Sequence, residues 1–112
     1  MDANEKFVRD HWESVNWGMR DLAGKNFAVI VYDDDVGTGF TGNTQSEAWK
    51  SAAKFTRERL KQIYRMDIGI GLLQECLPGE GWHNDDDVLI AGEILAREQA
   101  ALAELKRGMK NV

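Results

Sequence analysis

The sequence predicts an α+β fold: a short N-terminal helix, a small antiparallel sheet of two or three strands, then a long amphipathic helix and a C-terminal helix that form a helical hairpin packed on the sheet. Three observations carry this expectation. Phe27-Ala28-Val29-Ile30-Val31-Tyr32 is nearly all apolar and rich in β-branched residues, the composition of a central strand. Thr44 followed three residues later by Glu47 is a capping box, in which a hydroxyl and a carboxylate satisfy N–H groups that the first helical turn leaves orphaned. Behind it, Trp49, Ala52, Ala53, Thr56, Leu60 and Ile63 recur at three- and four-residue intervals and make one apolar helical face.

In chain order, residues 2–11 read as a short amphipathic helix, with Asp2 or Asn4 as its cap and Phe7, Val8 and His11 on one side. So short a helix is marginal alone and must dock. Trp12-Glu13-Ser14-Val15-Asn16-Trp17 has the aromatic and β-branched content of a first strand, followed by a turn through Gly18 and Gly24. After the central strand, Asp33-Asp34-Asp35-Val36-Gly37 supplies turn chemistry, and Thr38-Gly39-Phe40-Thr41 returns as a weaker strand to complete a hairpin. The capped helix then runs from Thr44 to about Asp67. Its apolar seam continues through Ile63, Met66, Ile70, Leu73 and Leu77, crossing Gly69 and Gly71. Each glycine costs a helix about 1 kcal/mol relative to alanine, so a kink or a break into two helices is expected there. Pro78-Gly79-Glu80-Gly81 stops the segment, and Asn84 or Asp85 caps a last helix from about Asp86 to Met109. Val88, Ala91, Leu95, Leu102, Leu105 and Met109 form its heptad seam, which Glu98 interrupts. Two seam-bearing helices joined by a short loop predict an antiparallel hairpin.

The 112 residues are enough for a single domain spanning 1–112 with one core, and no apolar run approaches the roughly 20 residues of a membrane helix. The opening lacks the basic start and apolar stretch of a secretory signal, and the lone Cys76 forms no internal disulfide. Both features point to the cytoplasm. Trp12, Trp17 and Trp49 are expected to build the core. For chemistry the inventory is thin. Cys76 lies on an apolar seam, and only His11 and His83 are available to it as a base. His83 near Asp85, Asp86 and Asp87, and the run Asp33 to Asp35, have carboxylates for a cation but lack the spacing of a metal site. Gly37, Gly39 and Gly42 have hairpin spacing and no following lysine-serine or lysine-threonine pair, so they do not make a phosphate loop. The reading is a non-enzymatic protein with no catalytic, metal or cofactor-binding residues and no cofactor.

The one surface feature that points at a class of partner is a stripe of Lys50, Lys54, Arg57, Lys61 and Arg65 along the long helix, with Tyr64 at its margin. Such a stripe meets phosphates or an acidic partner, or is a solvated face balanced by nearby acids. The net charge of −5 disfavours non-specific coating of nucleic acid. Residues 27–60, with an apolar strand, acidic hairpin, Gly42-x-Thr44-x-x-Glu47-Ala48 and amphipathic helix, resemble the N-terminal part of HicB-type antitoxins. That resemblance covers about one third of the chain and implies a partial double-stranded-RNA-binding-like fold that masks a toxin. The proline-aspartate segment of the family's pattern is missing here. Phe7-Val8-Arg9-Asp10-His11-Trp12 together with Gly42-x-Thr44-x-x-Glu47-Ala48-Trp49 is similar to small phage and prophage proteins of unassigned activity, which implies an accessory role. The expectation is therefore a small cytoplasmic protein, phage-like, that binds a protein partner, with a homodimer as the form to test. An antitoxin-like or nucleic-acid-associated regulator is the alternative, and an enzyme using Cys76 or His83 stands behind both.

Overall fold

Six elements follow one another as α1 (Ala3–His11), β1 (Val15–Met19), β2 (Phe27–Asp33), β3 (Val36–Gly42), α2 (Gln45–Glu75) and α3 (Asp85–Lys106). The computed structural model describes residues 1–19, 26–33, 36–75 and 85–112, and only the backbone of Met19 and of residues 85–88. Cys76, Leu77, His83, the helix stop at Pro78-Gly79-Glu80-Gly81, the side chains of the expected caps and of Val88, and most of both expected turns lie outside the described residues. The chain divides into two compact units, Met1–Leu60 with Lys106–Val112, and Lys61–Leu105.

In the first unit, the Asp2 carboxylate accepts the Asn4 N–H at 3.0 Å and caps α1. Glu5 with Arg9 (2.9 Å) and Lys6 with Asp10 (3.2 Å) add i,i+4 pairs on its outer side. The helix ends where the Trp12 N–H reaches the Val8 carbonyl, 3.1 Å away. Trp12 therefore closes a helix, where the sequence suggests that it opens a strand. It is held by its own side chain, whose Nε1–H donates to Thr56 Oγ1 at 2.9 Å, and it makes only an isolated bridge to Met109. The strand itself begins three residues later, where Val15 finds Val31 as its partner.

The three strands form an antiparallel sheet in the order β1-β2-β3, with no residue inserted in either register. Because side chains alternate, Trp17, Val29 and Phe40 share one face, as do Val15, Val31 and Thr38. Val29 and Val31 are fully buried on it. Trp17 is not: it stands on an edge strand and is 50% exposed, so the expectation that all three tryptophans build the core holds for Trp12 and Trp49 only.

The start of α2 follows the sequence pattern with one difference. Thr44 Oγ1 accepts the Glu47 N–H at 3.2 Å, while the Glu47 carboxylate accepts from Asn43, one residue before the cap, at 2.9 Å. Gly42 allows this close return, since a Cβ there would lie 2.6 Å from that of Glu47. Ala48, Trp49, Ala52, Ala53 and Thr56 are then fully buried, and Phe55 packs between Phe40 (centroids 5.0 Å apart) and Trp12 (6.2 Å). This first half of α2 is the part that covers the sheet.

The last residues return to the first unit. Gly108 has φ 74°, a conformation that ends helices and that other residues adopt at a cost, and it lies against the Tyr32 carbonyl. From there the Glu13 N–H donates to the Gly108 carbonyl (2.9 Å) and the Lys110 N–H to that of His11 (3.0 Å). Met109 is buried against this junction and not on the seam of α3, which stops at Lys106.

In the second unit, α2 passes through Gly69 and Gly71 as one helix of 31 residues. The two glycines cost roughly 2 kcal/mol, whereas burying Ile63 and Ile70 contributes about 1.5–3 kcal/mol each, so burial outweighs local propensity. Gln62, Arg65 and Met66 lie across a groove from Ala101, Glu104 and Leu105. With only nine residues between the two helices, that neighbourhood requires them to run antiparallel, the hairpin that the sequence predicts.

Candidate interaction surfaces

All five basic residues are exposed on α2. Lys50, Lys54 and Arg57 belong to the first unit, Lys61 and Arg65 to the second. They are not equally available. The Arg57 guanidinium donates to Asn4 Oδ1 at 3.3 Å and lies 4.9 Å from the centre of the Phe7 ring, so it ties α2 to α1. Lys61 also has a partner. Lys50 and Lys54 make no hydrogen bond or ion pair with the described residues. Arg65 stands at the rim of the groove between α2 and α3.

The same guanidinium chemistry recurs beneath. Arg9 lies 5.2 Å from the Trp49 ring, and Arg59 lies 5.0 Å from Phe55 and 5.9 Å from Trp12. These contacts spend cations on internal packing. Of the two histidines, His11 is described: its Nδ1 is 2.8 Å from the Phe7 carbonyl, which places the ring proton on that nitrogen, and its ring leans on Phe7 at 4.5 Å. Among the described residues no three His, Cys, Asp or Glu side chains come together to hold a metal. The start of α2 opens on a cleft of about 460 Å³ between Thr44, Gln45 and Ser46 on one side and Asp2 and Glu5 on the other. Those two carboxylates oppose an anion at the helix terminus.

What the sequence does not single out is an apolar surface on the second unit. Tyr64, Ile68 and Leu72 stand at four-residue steps on α2 and are 67%, 47% and 59% exposed; on α3, Ile90 and Ile94 are 56% and 44% exposed. Between the helices lies an open groove of about 660 Å³ with Met66, Ala101 and Leu105 in its lining. The signal was present as four-residue spacing, but nothing in the sequence separates Ile68 and Leu72 from Ile63 and Ile70, which the same helix buries. Charge sharpens the contrast between the units. Residues 61–105 hold three cations and nine carboxylates, a net −6, against −5 for the whole chain, so the remainder carries +1.

Among the described residues no helix is long and apolar enough to cross a membrane. Comparison with known proteins finds no match to the chain among family models, curated proteins or solved structures.

Proposed function

We propose that this protein is a non-enzymatic binding protein that acts through protein–protein contacts, with an accessory role of the kind its phage-like motifs imply. The observation that carries this reading is the exposed apolar surface of the second unit. Isolated apolar side chains on a surface are ordinary, but several large ones at helical spacing beside an apolar groove mark places where other protein surfaces dock. Partner engagement of Arg57 and Lys61 supports the same side, because a phosphate-binding stripe needs its cations free.

A second reading is supported by one arrangement. β2, β3 and the first half of α2 stand in the strand-strand-helix order that the antitoxin resemblance implies, and Lys50 and Lys54 project from that half. An antitoxin-like or nucleic-acid-associated regulator would use them. Titration against labelled DNA and RNA at low salt, beside a Lys50→Glu/Lys54→Glu variant, separates the two. Protein contact predicts no micromolar nucleic-acid binding, and capture from the native host should recover a protein that an Ile68→Asp/Leu72→Asp variant loses. Nucleic-acid binding that the lysine variant abolishes, with a log-affinity against log-salt slope of about −2 for two phosphate contacts, would overturn the proposal.

A further inference from the structure

β3 is an outer edge of the sheet, and it carries none of the devices that keep such an edge from pairing. Proteins blunt their edge strands with charges, prolines, bulges, short length or a covering segment. Val36-Gly37-Thr38-Gly39-Phe40-Thr41-Gly42 has no charged residue and no proline, and its register with β2 runs through all seven residues without a bulge. Val36, Gly37, Gly39 and Thr41 are exposed. Alternate residues of β3 turn their N–H and C=O groups away from β2, and among the described residues no backbone group pairs with them. The opposite edge, β1, has five residues, and the segment that leads into it is tied down where the Glu13 N–H meets the Gly108 carbonyl. We propose that β3 pairs antiparallel with β3 of a second copy about a two-fold axis at Gly39, which joins the two sheets into one of six strands. The contact belongs to the first unit, whereas the apolar row of Tyr64, Ile68 and Leu72 belongs to the second, so it goes beyond the protein-contact reading above.

Register, side chains and charge all fit a second copy. Two identical antiparallel strands make an isologous contact, and the register centred on Gly39 is the one that pairs all seven residues: Val36 with Gly42, Gly37 with Thr41, Thr38 with Phe40, and Gly39 with itself. Paired residues are then an even number of positions apart, so outward-turned groups meet outward-turned groups and form about six to eight backbone hydrogen bonds. Thr38 opposite Phe40 occurs twice, a β-branched residue against an aromatic one on the face that Val29 and Val31 share. No charged side chain meets another along the strand, and the first unit carries +1, free of the acidic excess of residues 61–105. A glycine inside a strand marks a place where another backbone comes close, and at Gly39 nothing lies within 4 Å of where a Cβ would stand.

Sedimentation equilibrium on the full chain, up to about 100 µM, tests the proposal. The expected result is a monomer–dimer equilibrium that stops at two copies and changes little with salt, since the paired strand is uncharged. Gly39→Lys and Gly39→Glu each set two like charges opposite one another at the axis, and each should weaken the dimer about threefold to fivefold. An equimolar mixture of the two variants should associate more tightly than either alone, because it sets opposite charges there. Both side chains enter open space, so the thermal midpoint of the dilute protein should not fall. Amide exchange over residues 36–42 should slow as the protein concentration rises. Ile68→Asp/Leu72→Asp should leave this dimer intact, which keeps its fate separate from that of the protein-contact reading. A monomer throughout the range overturns the proposal. So does a dimer that ignores both Gly39 variants, a mixture that binds no tighter than its components, or open-ended growth beyond two copies.

Discussion

Thr56 is the only buried polar residue among those described in the core, and it is tolerated because both of its hydrogen-bonding capacities are used. Its Oγ1 donates to the Ala52 carbonyl at 2.8 Å and accepts the Trp12 indole N–H at 2.9 Å. The second bond joins residues 44 positions apart and fixes the end of α1 on α2. Thr56→Val keeps the shape and strands the indole donor, so the expected loss is about 1–3 kcal/mol of unfolding free energy in a urea titration. Trp49 supplies the contrast, since its buried Nε1 has no acceptor among the described residues. Trp49→Phe should therefore show only a packing cost, and combining Thr56→Val with Trp12→Phe should cost less than the two single changes added together. Additive losses would show that the bond between Trp12 and Thr56 contributes nothing.

At the scale of elements, what was legible in the sequence is what local chemistry decides. The Asp2 cap, the apolar run of β2 and the Thr44–Glu47 box all act within a few residues of themselves, and each is found where the pattern puts it. Trp12 could not be read this way, because its partner is Thr56 and not a strand neighbour. The end of α3 was equally hidden: Gly108 terminates it in contact with Tyr32, 76 residues earlier in the chain. Gly69 and Gly71 mislead for the opposite reason. Their local cost is real, and the burial of Ile63 and Ile70 on the same helix exceeds it. A consequence follows for substitutions. Since no atom of the other described elements lies within 4 Å of a Cβ added at either glycine and the helix is continuous there, Gly69→Ala and Gly71→Ala should each stabilise the protein by about 1 kcal/mol in urea unfolding. A loss of stability at either position would mean that α2 needs its glycines to bend or to pack.

At the scale of the whole molecule, the candidate site was half legible. Periodicity finds the five cations, but which of them are engaged depends on contacts such as Arg57 with Asn4, separated by 53 residues. The charge asymmetry between the units, +1 and −6, is visible only once the division at Leu60 and Lys106 is known. It gives any homodimer that meets through the second unit a diagnostic sign. Copies that meet through their second units bring two segments of net charge −6 together, and their repulsion is long-ranged when the screening length is about 30 Å at 0.01 M salt and short-ranged when it is about 8 Å at 0.15 M. Added salt should therefore tighten such a dimer, by a few-fold across that interval, as read by the dissociation constant in sedimentation at each concentration. Copies that met head to tail would set a weakly positive unit against the acidic one, so salt would loosen them, and the contact would extend into chains unless its rotation closed a ring. A dissociation constant that rises with salt contradicts the hairpin-to-hairpin arrangement even if the protein proves dimeric.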